Sequence, residues 1–281
     1  MKSLVVTALL LAAGLSLNAQ TPDTTRPATD TMRVGNFVIV KDNKADTTKE
    51  DRSAFRIRFR MRNHKQDNVT TNWLGFDLGF ANWRDNTAYG SAEANDFMRP
   101  GAGQQPFIRD DLKLRTGKTS NVNIWLFMQK RNLVKHVLNL KYGIGLEMYN
   151  FRYSTNISYH SNPTYIFRDS VSFSKNKLYV GYLTVPLMFN FNTKPGYSNG
   201  LNFSFGASAS YRVGGHTKQV SEDRGKEKVK GDLSLETFKF AGVAEIGFGP
   251  INLYGTYSFT KLSERGLQQY PYAFGIRLGG F

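Results

Sequence analysis

Eight stretches of this chain place apolar residues on one parity and polar or small residues on the other: 73–81, 122–129, 137–151, 178–191, 201–211, 237–248, 251–260 and 270–278. Successive side chains of a strand point to opposite faces, so a period of two predicts strands with one greasy side. In the first, Leu74, Phe76, Leu78 and Phe80 oppose Gly75, Asp77, Gly79 and Ala81. In the third, Leu138, Leu140, Tyr142, Ile144, Leu146 and Met148 oppose Asn139, Lys141, Gly143, Gly145 and Glu147. The fifth sets Leu201, Phe203, Phe205, Ala207, Ala209 and Tyr211 against Asn202, Ser204, Gly206, Ser208 and Ser210. The second is ambiguous: Val122, Ile124, Leu126 and Met128 make one face, yet Trp125 and Phe127 fall on the other.

Gaps between these stretches run long, short, long, short, long, short, intermediate. That rhythm predicts an all-β fold, a transmembrane antiparallel up-and-down β-barrel of eight strands with long loops at one mouth and tight turns at the other. An even strand count puts both ends of the barrel in the periplasm. The gaps 130–136, 192–200 and 249–250 then become periplasmic turns, and 82–121, 152–177, 212–236 and 261–269 become extracellular loops. Tyr179, Tyr211, Tyr257 and Tyr272 all lie on apolar faces near the long loops, as an outer aromatic girdle requires. Parity puts Trp73 and Trp83 on the Asp77 face. Unpaired backbone groups are not tolerated in lipid, so the eighth strand must pair with the first. Pro186 cannot donate to a ladder, and a bulge or a locally unpaired carbonyl is expected beside it.

Residues 1–19 read as a secretory signal: Lys2, an apolar run from Leu4 to Leu17, and a cut after Ala19. Residues 20–71 read as a mostly disordered periplasmic segment, and residues 72–281 as the barrel domain. Within the segment, VGNFVIV at 34–40 is a candidate strand, and FRIRFRMR at 55–62 alternates strictly. Phe55, Ile57, Phe59 and Met61 share one face; Arg56, Arg58, Arg60 and Arg62 share the other. Those arginines form an ordinary half-exposed strand, a basic segment near the membrane surface, or an interaction face for an acidic periplasmic partner.

Composition narrows the options. The chain has no cysteine, which removes lipid-anchor, disulfide and thiolate-metal chemistry. No later stretch holds the ~20 consecutive apolar residues of a spanning helix. The 21 Phe and 14 Tyr suit strands and interfacial belts. A formal charge of +15 favours anionic glycolipid as a partner over nucleic acid, for which no recognition helix is visible.

The ionisable residues on the inward parities are Asp77, Lys141, Glu147, Lys239, Glu245 and Arg277, three acids and three bases. Buried charges persist when paired, and an eight-stranded bore is just wide enough for side chains to fill. An internal ion-pair network plugging the lumen is expected; the competing reading is a gate in a narrow channel. Loop 214–232 mixes charge with glycine and reads as a solvated loop or an extended hairpin. His216 and Glu222 are two metal-type ligands without a third. His160 beside Ser161 is not a nucleophile–base pair, which needs partners converging in space. No H-E-x-x-H occurs, and neither catalysis, cofactor nor metal is expected.

The stretches 72–79 (NWLGFDLG), 142–147 (YGIGLE) leading into 149–153 (YNFRY), 182–187 (YLTVPL), 247–254 (GFGPINLY) and 271–278 (PYAFGIRL) resemble the PorT-like outer-membrane β-barrel proteins of Bacteroidota. Pro186 matches that family's strand motif, whereas Phe281 is out of phase with Leu278 and departs from the usual terminal aromatic. The resemblance is specific for the barrel and says little of its task; taken with the residues, the expectation is a non-enzymatic barrel in the outer membrane of a diderm bacterium, with a structural or interaction role through its basic extracellular loops or the arginine-faced strand. Implied partners are outer-membrane lipid and glycolipid, the barrel-insertion machinery, and a periplasmic or secretion-system protein. The rival readings are a narrow small-solute channel, a secretion accessory subunit and a lipid-modifying enzyme.

Overall fold

The computed structural model describes residues 67–196, 200–231, 233–249 and 251–278, together with the backbone of three short strands, β1 (Asp30–Val34), β2 (Phe37–Lys41) and β3 (Phe55–Phe59). These three form an antiparallel sheet of their own, with Val34 opposite Phe37 and Phe37 opposite Phe59. The apolar run at 34–40, expected as one strand, is therefore divided between β1 and β2. The expected signal sequence and the rest of the 20–66 stretch lie outside the described residues.

The second unit contains β4 (Val69–Asp85), β5 (Ser120–Val134), β6 (Leu138–Arg152), β7 (Ile157–Ser161), β8 (Thr164–Arg168), β9 (Lys175–Asn192), β10 (Leu201–Ser221), β11 (Gly225–Lys230), β12 (Phe238–Phe248), β13 (Ile251–Ser258) and β14 (Gln269–Leu278). Eight of these make a closed antiparallel ring in the order β4, β5, β6, β9, β10, β12, β13, β14. The ring closes β14 on β4, with Arg277 opposite Asp77 and Phe274 opposite Phe80. Each expected strand is present, and most run longer than their apolar alternation.

The barrel is inverted relative to a water-soluble protein. Leu74, Phe76, Leu78 and Phe80 point outward, as do Leu187, Phe189, Phe203, Phe205, Phe240, Ile246, Leu253 and Ile276, all exposed. So wide a band of exposed large apolar side chains exceeds by far the few hundred Å² that soluble monomers leave uncovered. It is the surface of a protein whose solvent is hydrocarbon. Tyr211, Phe238, Tyr257 and Phe259 mark its upper edge, with Tyr211 packed against Phe238 and Tyr257 against Phe259.

Three irregularities correct the strict parity reading. Leu74 has φ +57°, and neither it nor Leu126 opposite is paired in the β4–β5 ladder. The β5–β6 register slips by one between Trp125 and Phe127. In each of β4 and β5 two consecutive side chains therefore face lipid. Trp73 turns outward at 70% exposure, not onto the Asp77 face, and its ring lies 5.9 Å from that of Phe127. Trp125 and Met128 both face inward, so Met128 does not belong to the apolar outer face. A second slip, at Val213 in β10, leaves that side chain exposed. At Pro186 the register holds without a bulge, but the β6–β9 ladder lapses between Tyr142–Leu187 and Gly145–Thr184. On the opposite edge the strand stays paired, Pro186 facing Ser208. Trp83 is buried inside, as parity requires.

The short connections are tight. Residues 135–137 join β5 to β6, with Lys135 and His136 at φ +46° and +57°, and the His136 amide donates to Asn132 Oδ1 at 2.7 Å. The long connections fold into a cap. A helix α1 (Ala92–Phe97) starts at Ser91, whose hydroxyl accepts from the Ala94 amide at 3.2 Å. Strands β7 and β8 pair as a hairpin, and β10 continues above the bilayer to pair with β11, so residues 216–230 form an extended hairpin. Phe97, Met98, Phe107, Leu112, Leu114, Ile157, Ile166, Leu233, Leu235, Leu262 and Leu267 bury together, joining all four loops into one apolar core.

Two ion pairs latch this cap. Arg168 grips Asp111 with Nε and Nη2, both at 2.8 Å, and donates to the carbonyls of Gln105 and Pro106 at 2.6 and 2.9 Å. Arg224 grips Asp169 at 2.9 and 3.1 Å, and Ser158 donates to the same carboxylate at 2.8 Å. Burial pushes both carboxyls up, but the arginine contacts and amide donors outweigh it and hold both below their usual range. A depressed carboxyl contributes stability above its unfolded value of about 3.9 and loses it as pH falls through the folded value. Acidification from pH 6 to pH 2 should therefore lower hydrogen-exchange protection, the rate relative to the unstructured chain at the same pH, in residues 86–119 and 153–174, beginning only below about pH 4. Arg168→Ala should produce the same loosening at pH 7; unchanged protection in that variant would show that the latch is idle.

Candidate functional site

The inward parities of β4, β6, β12 and β14 bring four of the six expected charges into one chain. Arg277 donates from Nε to Asp77 Oδ1 and from Nη2 to Asp77 Oδ2, both at 2.7 Å. Its Nη1 donates to Glu245 Oε1, and Glu245 Oε2 accepts from Lys141 Nζ at 2.5 Å. Asp77 Oδ2 also accepts from Trp125 Nε1 at 2.7 Å and Asn123 Nδ2 at 3.0 Å. The guanidinium lies over the Trp125 ring, 4.9 Å from its centroid.

The other two charges form a separate pair. Lys239 Nζ donates to Glu147 Oε2 at 2.6 Å, and Tyr149 Oη donates to Glu147 Oε1 at 2.6 Å. The ammonium sits 5.1 and 5.2 Å from the centres of the Tyr149 and Tyr182 rings. All six ionic residues are no more than 3% exposed. Every one has an opposite charge in contact, the condition under which a buried charge persists.

Little room remains around them. A residual cavity beside them, lined by Asn123, Trp125, Glu147, Thr184, Ser208, Val243, Tyr254, Thr256 and Arg277, holds about 20 Å³. That is the space of a single water, for which ~10–15 Å³ is the minimum. Two lumen glycines make the fit possible: a Cβ on Gly145 would meet the Trp125 ring at 2.7 Å, and one on Gly79 would meet Tyr254 Oη at 2.5 Å. Above the charges, Tyr149 stacks on Phe151 at 5.4 Å and Trp83 packs on Phe151 at 4.8 Å. This aromatic layer runs into the core of the cap, so the bore is closed twice.

Sequence reasoning found the six charges and missed the neutral groups that satisfy them. Asn121, Asn123, Tyr149, Tyr182 and Tyr254 all lie on inward parities, and that was their available signal. Trp125 had a sharper one, since its misfit with the apolar face of β5 is what placed it against Asp77. Of the proposed interaction face, Arg56 and Arg58 fall in β3, opposite Val40 and Val38. Arg60 and Arg62 lie outside the described residues. His160 directs Nδ1 to the Pro163 carbonyl at 2.8 Å and stacks on Tyr165, so it does not serve Ser161. His216 packs on Tyr179 at 4.8 Å, and no cluster of three metal-type ligands exists among the described residues.

Ring closure, the lipid-facing belt and the filled bore define a transmembrane up-and-down β-barrel protein. No family model matches the chain, and no curated protein does. Among solved structures it is similar to Ail, the attachment invasion locus protein of Yersinia pestis, at 14% identity over 76% of this chain and 100% of that one, with a TM-score of 0.29. A second structure of Ail, in complex with the heparin analogue sucrose octasulfate, matches at 11% identity over 73% and 97% of the two chains, also at 0.29. Superposition this loose carries no argument, and the barrel assignment rests on the strand ring itself.

The isolated Lys239–Glu147 pair gives a clean test of the lumen. Lys239→Met leaves a buried carboxylate without its partner and should cost about 3–5 kcal/mol in urea unfolding of the lipid-reconstituted protein. Adding Glu147→Gln should recover most of that loss. Equal stabilities for the single and double variants would mean the pair is uncoupled.

Proposed function

We propose that this protein is a non-enzymatic integral outer-membrane barrel that conducts nothing and works through its outer surface. The observation that carries this reading is the filled bore: paired charges, a water-sized residual cavity and an aromatic layer beneath a folded cap. A channel needs a continuous wet path, and the paired charges and the aromatic layer stand across it. A gate would need a charge free to move, whereas each lumen ion here is held by at least one short contact to its opposite. Catalysis would need a nucleophile beside a base, and His160, the histidine next to a serine, is committed to a backbone carbonyl. The cap, by contrast, is an extensive folded structure built on all four loops. In this reading the barrel is a pedestal, and outer-membrane lipid and surface ligands are its partners.

Planar-bilayer recording tests it. The reconstituted chain should show no steady ohmic steps, and Lys141→Ala and Glu245→Ala should add none while the cap stays folded. Reproducible unitary steps in the parent protein, shifted by either substitution, would replace this reading with the channel.

A further inference from the structure

Above the aromatic girdle, β6, β9, β10 and β11 continue as one twisted sheet outside the bilayer, and its outward face is basic. The register aligns Arg152 with Lys177, Lys177 with Lys218, and Lys218 with Lys228. Four cations thus stand in one row across four neighbouring strands, over roughly 15 Å. The flanking rows add His216 opposite Lys230, and Lys175 and Lys226, which both oppose Val220. Glu227 lies on the other parity, with Val229, whose side chain packs on the cap core. Asp169, a loop carboxylate, is taken by Arg224; Glu222 and Asp223 stand in the turn that joins β10 to β11. Among the described residues no acid pairs with Lys175, Lys177, Lys218, Lys226, Lys228 or Lys230.

This arrangement is unfavourable on its own terms. Like charges directly opposite each other on a sheet repel. Burial and the surrounding Lys175, Lys218, Lys228 and Arg152 hold the Lys177 ammonium below its usual pKa; Lys226, then burial, Lys175 and Lys228, do the same to Lys218. Elsewhere the chain pairs its charges, in the lumen and in the cap latches. The row sits two residues, about 7 Å, beyond Tyr179 along β9. Its face is continuous with the lipid-facing side of the barrel, where Tyr211, Val213 and Phe238 are exposed.

We propose that this row binds the phosphate groups of anionic glycolipid in the outer leaflet surrounding the barrel. The proposal rests on the outer-membrane reading above. Height and direction select the membrane source over a soluble polyanion: the cations point outward at headgroup level, not up from the cap. Arginine and lysine supply multiple donors to phosphate oxygens, and Tyr179 and Tyr211 supply the apolar shelf for the chains beneath.

The test uses the full chain in phosphatidylcholine nanodiscs doped with phosphorylated lipid A or with the same lipid after phosphatase treatment. Lipid retained by the purified discs is read by mass spectrometry. The parent protein should enrich the phosphorylated form at least tenfold over the dephosphorylated one. Lys177→Gln/Lys218→Gln/Lys228→Gln should lose that enrichment, and Lys177→Arg/Lys218→Arg/Lys228→Arg should keep it. In phosphatidylcholine alone the Gln variant should melt at or above the parent temperature, because repulsion is relieved; phosphorylated lipid A should raise the melting temperature of the parent only. Equal enrichment by parent and Gln variant overturns the proposal, as does a soluble sulfated polysaccharide displacing lipid A at lower phosphate-equivalent concentration. Failure of the outer-membrane reading would look different, since the chain would then not enter nanodiscs at all.

Discussion

Every feature of this molecule descends from one constraint: inside hydrocarbon a backbone N–H or C=O has no partner but another backbone group. An open sheet would leave two edges unbonded, so β14 must return to β4. Closing eight strands fixes the bore at a width that side chains can fill. Half of each strand then points into a space with no bulk water, and whatever polar groups stand there must satisfy one another. The seam shows this coupling directly. The register that closes the ring is also the register that sets Arg277 opposite Asp77, so backbone closure and charge pairing are made by the same contact.

The regular part of this was legible because lipid imposes a strict rule. Only apolar side chains tolerate the outer face, so within the bilayer the alternation is clean, as in β6 and the membrane part of β10. Legibility ended where the rule did. Above the girdle, β10 continues as Gly215, His216, Thr217, Lys218, Gln219, with both parities polar, so a strand expected to stop near residue 211 runs to Ser221. The Val213 slip inverts its phase as well. At Leu74 and Leu126 two neighbouring residues both face lipid, which no period-two reading can place; the misfit of Trp125 and Phe127 was the visible trace of that bulge. Pro186 was read correctly as a ladder defect because the missing donor is a property of the residue alone.

The cap was illegible for a different reason. Its core is drawn from all four loops, so no local period announces it. Phe97, Met98, Phe107, Leu112 and Leu114 are irregularly spaced in the first long loop, and their partners Ile166, Leu235 and Leu267 lie far along the chain. The usable signal was composition: a solvated loop has no use for that many large apolar residues. The charged residues of the loops were illegible in the same way. Asp111, Arg168, Asp169 and Arg224 resemble a solvated surface in sequence, and only the fold shows that they meet in pairs.

Charge placement separates what holds this molecule together from what it offers outward. In the lumen three acids and three bases balance, and every one is in contact with its opposite. In the cap, arginines and carboxylates meet across loops far apart in sequence. A chain with a formal charge of +15 cannot neutralise all of its cations internally, yet it could have scattered the surplus. Instead Arg152, Lys177, Lys218 and Lys228 occupy a single row across four paired strands, where like charges oppose one another. Strands hold those ammonium groups in place against repulsion that flexible loops would relieve by moving apart. A cationic row fixed on paired strands keeps its repulsion until anions from outside offset it, and the anionic glycolipid proposed above is the partner whose phosphates would do so.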